Sequence, residues 1–136
     1  SSAASDVYKR QAAETVNAEA APNLAITKSV SPVPVTENGT LTYTFRIQNY
    51  GSVAATNTTG VVITDTFAPV LNNLTAALNG TAWTAATDYT YNETTGTFSS
   101  TAGAITVPAA TYTQDSTTGA WVVTPGESTL VITGTV

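Results

Sequence analysis

A lysine, an aspartate and one of two asparagines in this sequence could together join two β-strands through a covalent bond. Lys28 and Asp65 each lie on the apolar alternation of a strand-like stretch, so both side chains are expected to point inward. Burial favours a neutral, nucleophilic lysine amine, and a nearby carboxylate could assist its attack on an asparagine carboxamide. Asn49 and Asn17 are the candidate acceptors, and the product would be an isopeptide bond formed with loss of ammonia.

The same lysine and carboxylate have a simpler interpretation. A buried lysine that lacks a partner is strongly destabilising, so a carboxylate is expected next to it in any case. Lys28 and Asp65 are therefore also predicted to form a buried or half-buried ion pair near one end of the fold. The sequence leaves both interpretations open.

The composition excludes most other site chemistry. The chain of 136 residues contains no Cys, Met or His, which removes disulfides, thiolate nucleophiles, Cys/His metal sites and histidine acid–base catalysis. The net charge of −5 argues against nucleic acid as a partner, because phosphate binding requires clustered Lys and Arg. No apolar run approaches the length that spans a bilayer. We expect no enzymatic activity, no cofactor, no metal and no transmembrane segment.

The hydrophobic pattern after residue 22 is typical of strands separated by turns. Strands are predicted at residues 23–30, 40–49, 60–67, 74–78, 89–91, 97–99, 105–107, 112–114, 121–123 and 128–136. The in-phase residues expected in the core are Ile26, Tyr43, Phe45, Ile47 and Ile63. Because short strands recur without a helical period, we predict an all-β, Ig-like antiparallel β-sandwich over residues 23–136.

Residues 1–22 are predicted to be an extension that precedes this domain. Residues 1–11 carry two of the four basic residues and resemble translated sequencing adapter, which indicates a non-native leader. Residues 14–20 form a short strand-like stretch that could be donated to another subunit. This candidate donor strand consists of Glu14, Thr15, Val16, Asn17, Ala18, Glu19 and Ala20.

The other end of the sequence predicts where such a strand would be accepted. Residues 128–136 are strand-like, and no turn or cap follows them. We expect this strand to lack a partner on one side, which makes its edge a template for strand addition. The predicted acceptor edge consists of Leu130, Val131, Ile132, Thr133 and Val136.

Three segments resemble one family. Residues 24–32 (LAITKSVSP), 37–51 (ENGTLTYTFRIQNYG) and 61–67 (VVITDTF) resemble the bacterial surface repeat known as domain of unknown function eleven. The resemblance covers about half of the chain. It implies an Ig-like sandwich that is repeated in long secreted or wall-attached proteins, without known chemistry. Repeats of that family usually add one more strand after the equivalent of residues 128–136, and residues 15–18 resemble that strand.

These observations predict a structural subunit of an extracellular, cell-surface bacterial filament. Its partners would be identical subunits, joined by strand donation. One alternative is a terminal repeat of an adhesin stalk, with its neighbours in a longer parent chain. Another is a carbohydrate-binding module that uses Trp83 and Trp121.

Overall fold

A computed structural model describes residues 21–136, which form the all-β, Ig-like antiparallel sandwich that the sequence predicts. The strands are β1 (Leu24–Ser31), β2 (Thr40–Asn49), β3 (Thr64–Thr66), β4 (Asn72–Leu78), β5 (Thr81–Ala82), β6 (Tyr89–Asn92), β7 (Thr97–Ser100), β8 (Thr111–Gln114), β9 (Trp121–Thr124) and β10 (Gly126–Thr135). Within this part of the chain the helical content is one short 3-10 turn, at Asn57–Thr59. Neighbouring strands pair antiparallel throughout.

Two sheets form the sandwich, and a separate ribbon completes the described chain. The larger sheet has the strand order β1-β2-β10-β4-β5, and the smaller has the order β3-β7-β6. Strands β8 and β9 pair with each other as a two-stranded ribbon whose eight residues are all exposed. The ribbon therefore adds little to the core.

The core lies between the two sheets and follows from strict alternation in β2 and β10. Every second residue of each strand is buried, while the intervening residues face solvent or lie half-buried. The smaller sheet and its loops contribute aromatic rings, with Tyr43 of β2 stacked on Phe67 at 4.5 Å between centroids. Burial of each such side chain stabilises the fold by about 1.5–3 kcal/mol.

The predicted acceptor edge on the last strand is wrong. Strand β10 pairs with β2 along its whole length, and residues 130–135 also pair with β4. The edge residues named from the sequence are Leu130, Val131, Ile132, Thr133 and Val136. Val136 itself exchanges backbone hydrogen bonds with Asn38 and Gly39. The last strand of the sequence is central because earlier strands flank it on both sides.

The long strand with a free edge is the first one. Strand β1 pairs with β2 alone among the described strands, and all eight of its residues are exposed. Ile26 was predicted to be buried, but 50% of its surface is accessible. It shares a sheet face with the buried Ile47 across the ladder, yet the opposing strand β3 is only three residues long. The alternation therefore predicts correctly that Ile26 lies on the core face of the sheet, but wrongly that Ile26 is buried.

Two further predicted strands are shorter than expected. The stretch predicted at 60–67 forms a ladder only at Thr64–Thr66. Residues 105–107 contribute one isolated bridge, between Val107 and Ala55. Ile105 and Val107 are nevertheless buried, so their alternation reflects core packing without continuous strand pairing.

Two isoleucines in the same sheet provide a matched test of this architecture. Ile132 is fully buried on β10, whereas Ile26 is half exposed on β1. We expect Ile132→Ala to lower the free energy of unfolding by about 2–5 kcal/mol, because it removes buried methyl groups and leaves a cavity. Ile26→Ala should cost less than about 1 kcal/mol. Denaturant unfolding measures both, and equal losses would contradict the assignment of β1 as an uncovered edge.

Candidate functional site: the open groove beside β1

The backbone of β1 presents hydrogen-bonding groups to its free edge. The N–H of Tyr50 donates to the C=O of Asn23, so the odd-numbered residues that follow Asn23 face β2. In an antiparallel ladder the intervening residues direct their N–H and C=O away from the partner. On β1 these residues are Leu24, Ile26, Lys28 and Val30. Their side chains lie on the core face, opposite Asn49, Ile47, Phe45 and Tyr43.

An open groove lies between β1 of the larger sheet and β3 of the smaller sheet. It has a volume of about 380 Å³. Its walls are formed by Ile26, Thr27, Lys28, Phe45, Val62, Ile63, Thr64 and Asp65. Val62 is 47% exposed, close to the 50% of Ile26. The groove thus offers exposed apolar surface directly beside unpaired backbone groups.

The opposite long side of the sandwich has a groove of its own, with a volume of about 550 Å³, between Leu74 of β4 and Tyr91 of β6. There Trp83, which follows β5, stacks on Tyr89 of β6 with ring centroids 6.3 Å apart. A backbone bridge between Ala85 and Tyr89 also lies on this side. Aromatic packing therefore joins the two sheets over part of this side.

One ion pair spans the open side, and it is the pair predicted from the sequence. Lys28 Nζ lies 2.6 Å from Asp65 Oδ2, with the lysine side chain 43% exposed and the aspartate side chain 21% exposed. The ammonium also lies 5.1 Å from the ring centroid of Tyr43. The structure thus brings Lys28 and Asp65 together as a half-buried pair that connects the two sheets.

The two oxygens of Asp65 differ in their contacts. Oδ1 accepts the backbone N–H of Thr66 at 2.8 Å. Oδ2 is buried and has no well-directed hydrogen bond, because Lys28 approaches it closely but at a poor angle. Within the described residues, the charge of Lys28 is therefore the sole compensation for this oxygen. Because the lysine is partly exposed, the ion pair contributes only modestly to the stability of the fold.

Asn49 does not lie beside Lys28, so the predicted isopeptide bond between them is wrong. Lys28 pairs with Phe45, which is four residues, or about 13 Å of strand, from Asn49. The Asn49 side chain is fully buried, and its amide is already satisfied. Its oxygen accepts the N–H groups of Asn23 and Gly51, and its nitrogen donates to the C=O of Val53 and Pro108. Asn49 thus has a structural role.

The other acceptor candidate, Asn17, lies outside the described residues. The same holds for the remaining residues of the candidate donor strand, Glu14, Thr15, Val16, Ala18, Glu19 and Ala20. Their roles stay predictions. The sequence pattern gave no signal for Val62 in the groove, because Val62 falls out of phase between Val61 and Ile63.

The β8–β9 ribbon forms a second exposed apolar surface. Its register places Tyr112 and Val123 on one face together with Gln114 and Trp121. Trp121 is 65% exposed, and the Tyr112 hydroxyl donates to the C=O of Tyr50 beyond the end of β2. The ribbon is therefore attached at the end of the sandwich where β1 begins.

The acid in the ribbon turn has a structural role. The Asp115 carboxylate accepts the backbone N–H groups of Thr118 and Thr117, and these hydrogen bonds hold its pKa below the ordinary value. In residues 21–136 no group of three or more acidic side chains is placed to hold a metal ion.

Comparison of the chain with protein-family models, with curated proteins and with solved structures found no match. The resemblance to the bacterial surface repeat therefore stays a prediction. Among the helices of the described region, none is long and apolar enough to cross a membrane.

Asn49 provides a test of the buried amide. We expect Asn49→Ala to lower the free energy of unfolding by about 2–4 kcal/mol, because two N–H groups and two C=O groups lose their partner. Asn57→Ala, at an exposed asparagine of the 3-10 turn, is the control and should change stability by less than about 0.5 kcal/mol. If Asn49→Ala lowers the free energy of unfolding only slightly in chemical denaturation, the structural role of this amide is contradicted.

Because Lys28 lies far from Asn49, we expect no isopeptide bond between them. Peptide mass spectrometry should recover the peptide that contains Lys28 without a link to the peptide that contains Asn49. The intact mass should equally show no loss of ammonia from such a link. Detection of the crosslinked pair would overturn the strand register between β1 and β2.

Proposed function

We propose that this protein is a non-enzymatic structural subunit of an extracellular, cell-surface bacterial filament, assembled by strand donation between identical subunits. The acceptor is the free edge of β1 and the groove beside it, in place of the last strand. One observation carries the proposal: four residues of β1, three of them apolar, are exposed and direct their backbone groups to an edge where no described strand pairs with them. Such an edge is a template for an added strand.

The two ends of the described chain suit a head-to-tail arrangement. Residues 21–23 lie over Gly51, where a Cβ would collide with the C=O of Ala21, so glycine permits this close approach. Val136 bonds to Asn38 and Gly39 at the opposite end of the larger sheet. Residue 21, the first described residue, therefore lies at one end of the sandwich. Strand β1 of eight residues, about 26 Å long, provides the accepting edge along the side.

Strand addition alone would give a joint of moderate strength. A donor of five to seven residues could form about five backbone hydrogen bonds, each contributing about 1 kcal/mol. Covering Ile26 and Val62 adds apolar burial at about 25 cal/mol per Å². Association costs several kcal/mol, so a durable filament requires further contacts. The exposed ribbon with Trp121 could supply them, because it is attached at the end of the sandwich where residues 21–23 lie.

A repeat within an adhesin stalk is the second candidate. The placement of residues 21–23 and Val136 at opposite ends favours it equally, since tandem domains need such a path. The free edge of β1 distinguishes the two, because a stalk repeat has no need of an acceptor groove. A carbohydrate platform has less support, since Trp83 packs against Tyr89 and leaves Trp121 as the exposed tryptophan.

Electron microscopy of the purified full chain tests the filament. We expect the wild-type chain to polymerise and Ile26→Lys to remain monomeric, because a charge would enter the apolar groove beside the accepting edge. Ser29→Lys is the matched control on the outer face of the same strand, outside the walls of the groove, and should polymerise normally. Deletion of residues 1–20 should abolish assembly. Monodisperse wild-type monomers would favour the stalk repeat, and normal filaments of Ile26→Lys would exclude β1 as the acceptor.

A further inference from the structure

We infer that Lys28 sets the register of the donated strand by pairing with Glu14 of a second copy of this chain. The donor then runs antiparallel to β1, with Glu14 opposite Lys28 and Val16 opposite Ile26. This inference rests on the proposed strand donation and specifies which residues meet in the joint.

Lys28 is the cation that is available for such a contact. Residues 21–136 contain two basic side chains, Lys28 and Arg46. Arg46 lies on the outer face of β2, where its guanidinium is 2.8 Å from Glu127 Oε2. Gln48 donates to the same carboxylate oxygen. Lys28 instead points into the open groove, with apolar residues before and after it on the same face.

The ammonium of Lys28 retains capacity for a second carboxylate. It has three N–H donors, and its contact with Asp65 involves a single oxygen. The lysine side chain is 43% exposed at the groove, so an approaching acid can reach it without displacing Asp65. A glutamate on the outer side of the groove would keep access to water, which limits its desolvation.

The sequence of the donor has the complementary pattern. In a strand, successive side chains alternate between faces, so Glu14, Val16 and Ala18 would share one face. An apolar groove favours the face with Val16, which brings Glu14 to the same side two residues away. Asn17 and Glu19 would then point away from Lys28. The donated strand in this register offers Lys28 an ion-pair partner and no carboxamide.

Exposure along β1 selects the antiparallel direction. Val16 could lie opposite Ile26 in an antiparallel donor or opposite Val30 in a parallel one. Ile26 lines the β1–β3 groove together with Val62, and both are about half exposed. Val30 is less exposed and faces the proline-rich segment 32–34.

The position of residues 21–23 points to a second copy as the source of the strand. They continue the line of β1 and lie against Gly51, next to the end of β2. The stated register within one chain would pair residue 18 with residue 24 and require residues 19–23 to form the reversal. That path conflicts with the contact between Ala21 and Gly51.

Absence of cysteine from the chain allows a direct crosslinking test. Full-length Val16→Cys and Ile26→Cys chains are mixed under mild oxidation, and mass spectrometry identifies the joined peptides. We expect a disulfide between the two chains to form at least about tenfold faster than with the control pairs, because disulfides require adjacent Cβ atoms. The controls are Asn17→Cys with Ile26→Cys, which probes the wrong face, and Val16→Cys with Val30→Cys, which probes the parallel register.

Charge-neutral variants test the ion pair itself. Glu14→Gln should raise the critical concentration for assembly about two- to fivefold, the range expected for a partly exposed pair. Glu19→Gln should leave it unchanged. In the background of Lys28→Gln, the effect of Glu14→Gln should disappear, which a general loss of stability would not produce.

The outcomes separate this inference from strand donation in general. Faster crosslinking of either control pair, or equal effects of Glu14→Gln and Glu19→Gln, would overturn the Lys28 register while donation stands. A Val16–Ile26 disulfide inside a doubly substituted single chain at high dilution would overturn the second copy as the source. Wild-type chains that never assemble would overturn both proposals.

Discussion

The ladder between β2 and β10 is the interaction on which the rest of the structure depends. Ten residue pairs join the second strand of the sequence to the last, and the paired residues are 77 to 95 positions apart in sequence. Both strands bury every second residue, so this ladder contributes many of the side chains on one side of the core. All other strands of the larger sheet attach outside it, β1 beside β2 and β4 beside β10. Closing the ladder therefore decides which strand is left at the edge.

The sequence predicts well which face of a sheet each side chain lies on. It predicts poorly which strands lie next to each other. Alternation within a strand is local, so Lys28 and Asp65 could be assigned to inward faces, and they meet across the two sheets. The order of strands depends on contacts between distant segments, which no local pattern encodes. For that reason β10 was placed at an edge although it is central. Ile26 was placed in the core for the same reason.

Asn49 shows how a polar residue in an apolar phase should be interpreted. Its phase with Phe45 and Ile47 made it an isopeptide candidate by periodicity alone. The physical constraint is that a buried amide must satisfy its donors and acceptors. Asn49 does so with four backbone groups from three separate segments, around Asn23, Gly51–Val53 and Pro108. It thereby fixes the point at which the chain enters β1.

A free edge beside an apolar groove can pair with unrelated strands as well as with one specific donor strand. Lys28 affects both kinds of pairing. An inward-pointing charge on an edge strand is a known device against indiscriminate strand pairing, since an apolar strand added there would bury the ammonium. Pro32 and Pro34 directly after β1 limit the length of the edge, because proline has no N–H to offer. Asp65 keeps the ammonium positioned in the groove while the edge is empty. A donor with a carboxylate at the matching position removes the penalty that an apolar strand would meet, so the residue that discourages general pairing also favours one specific partner.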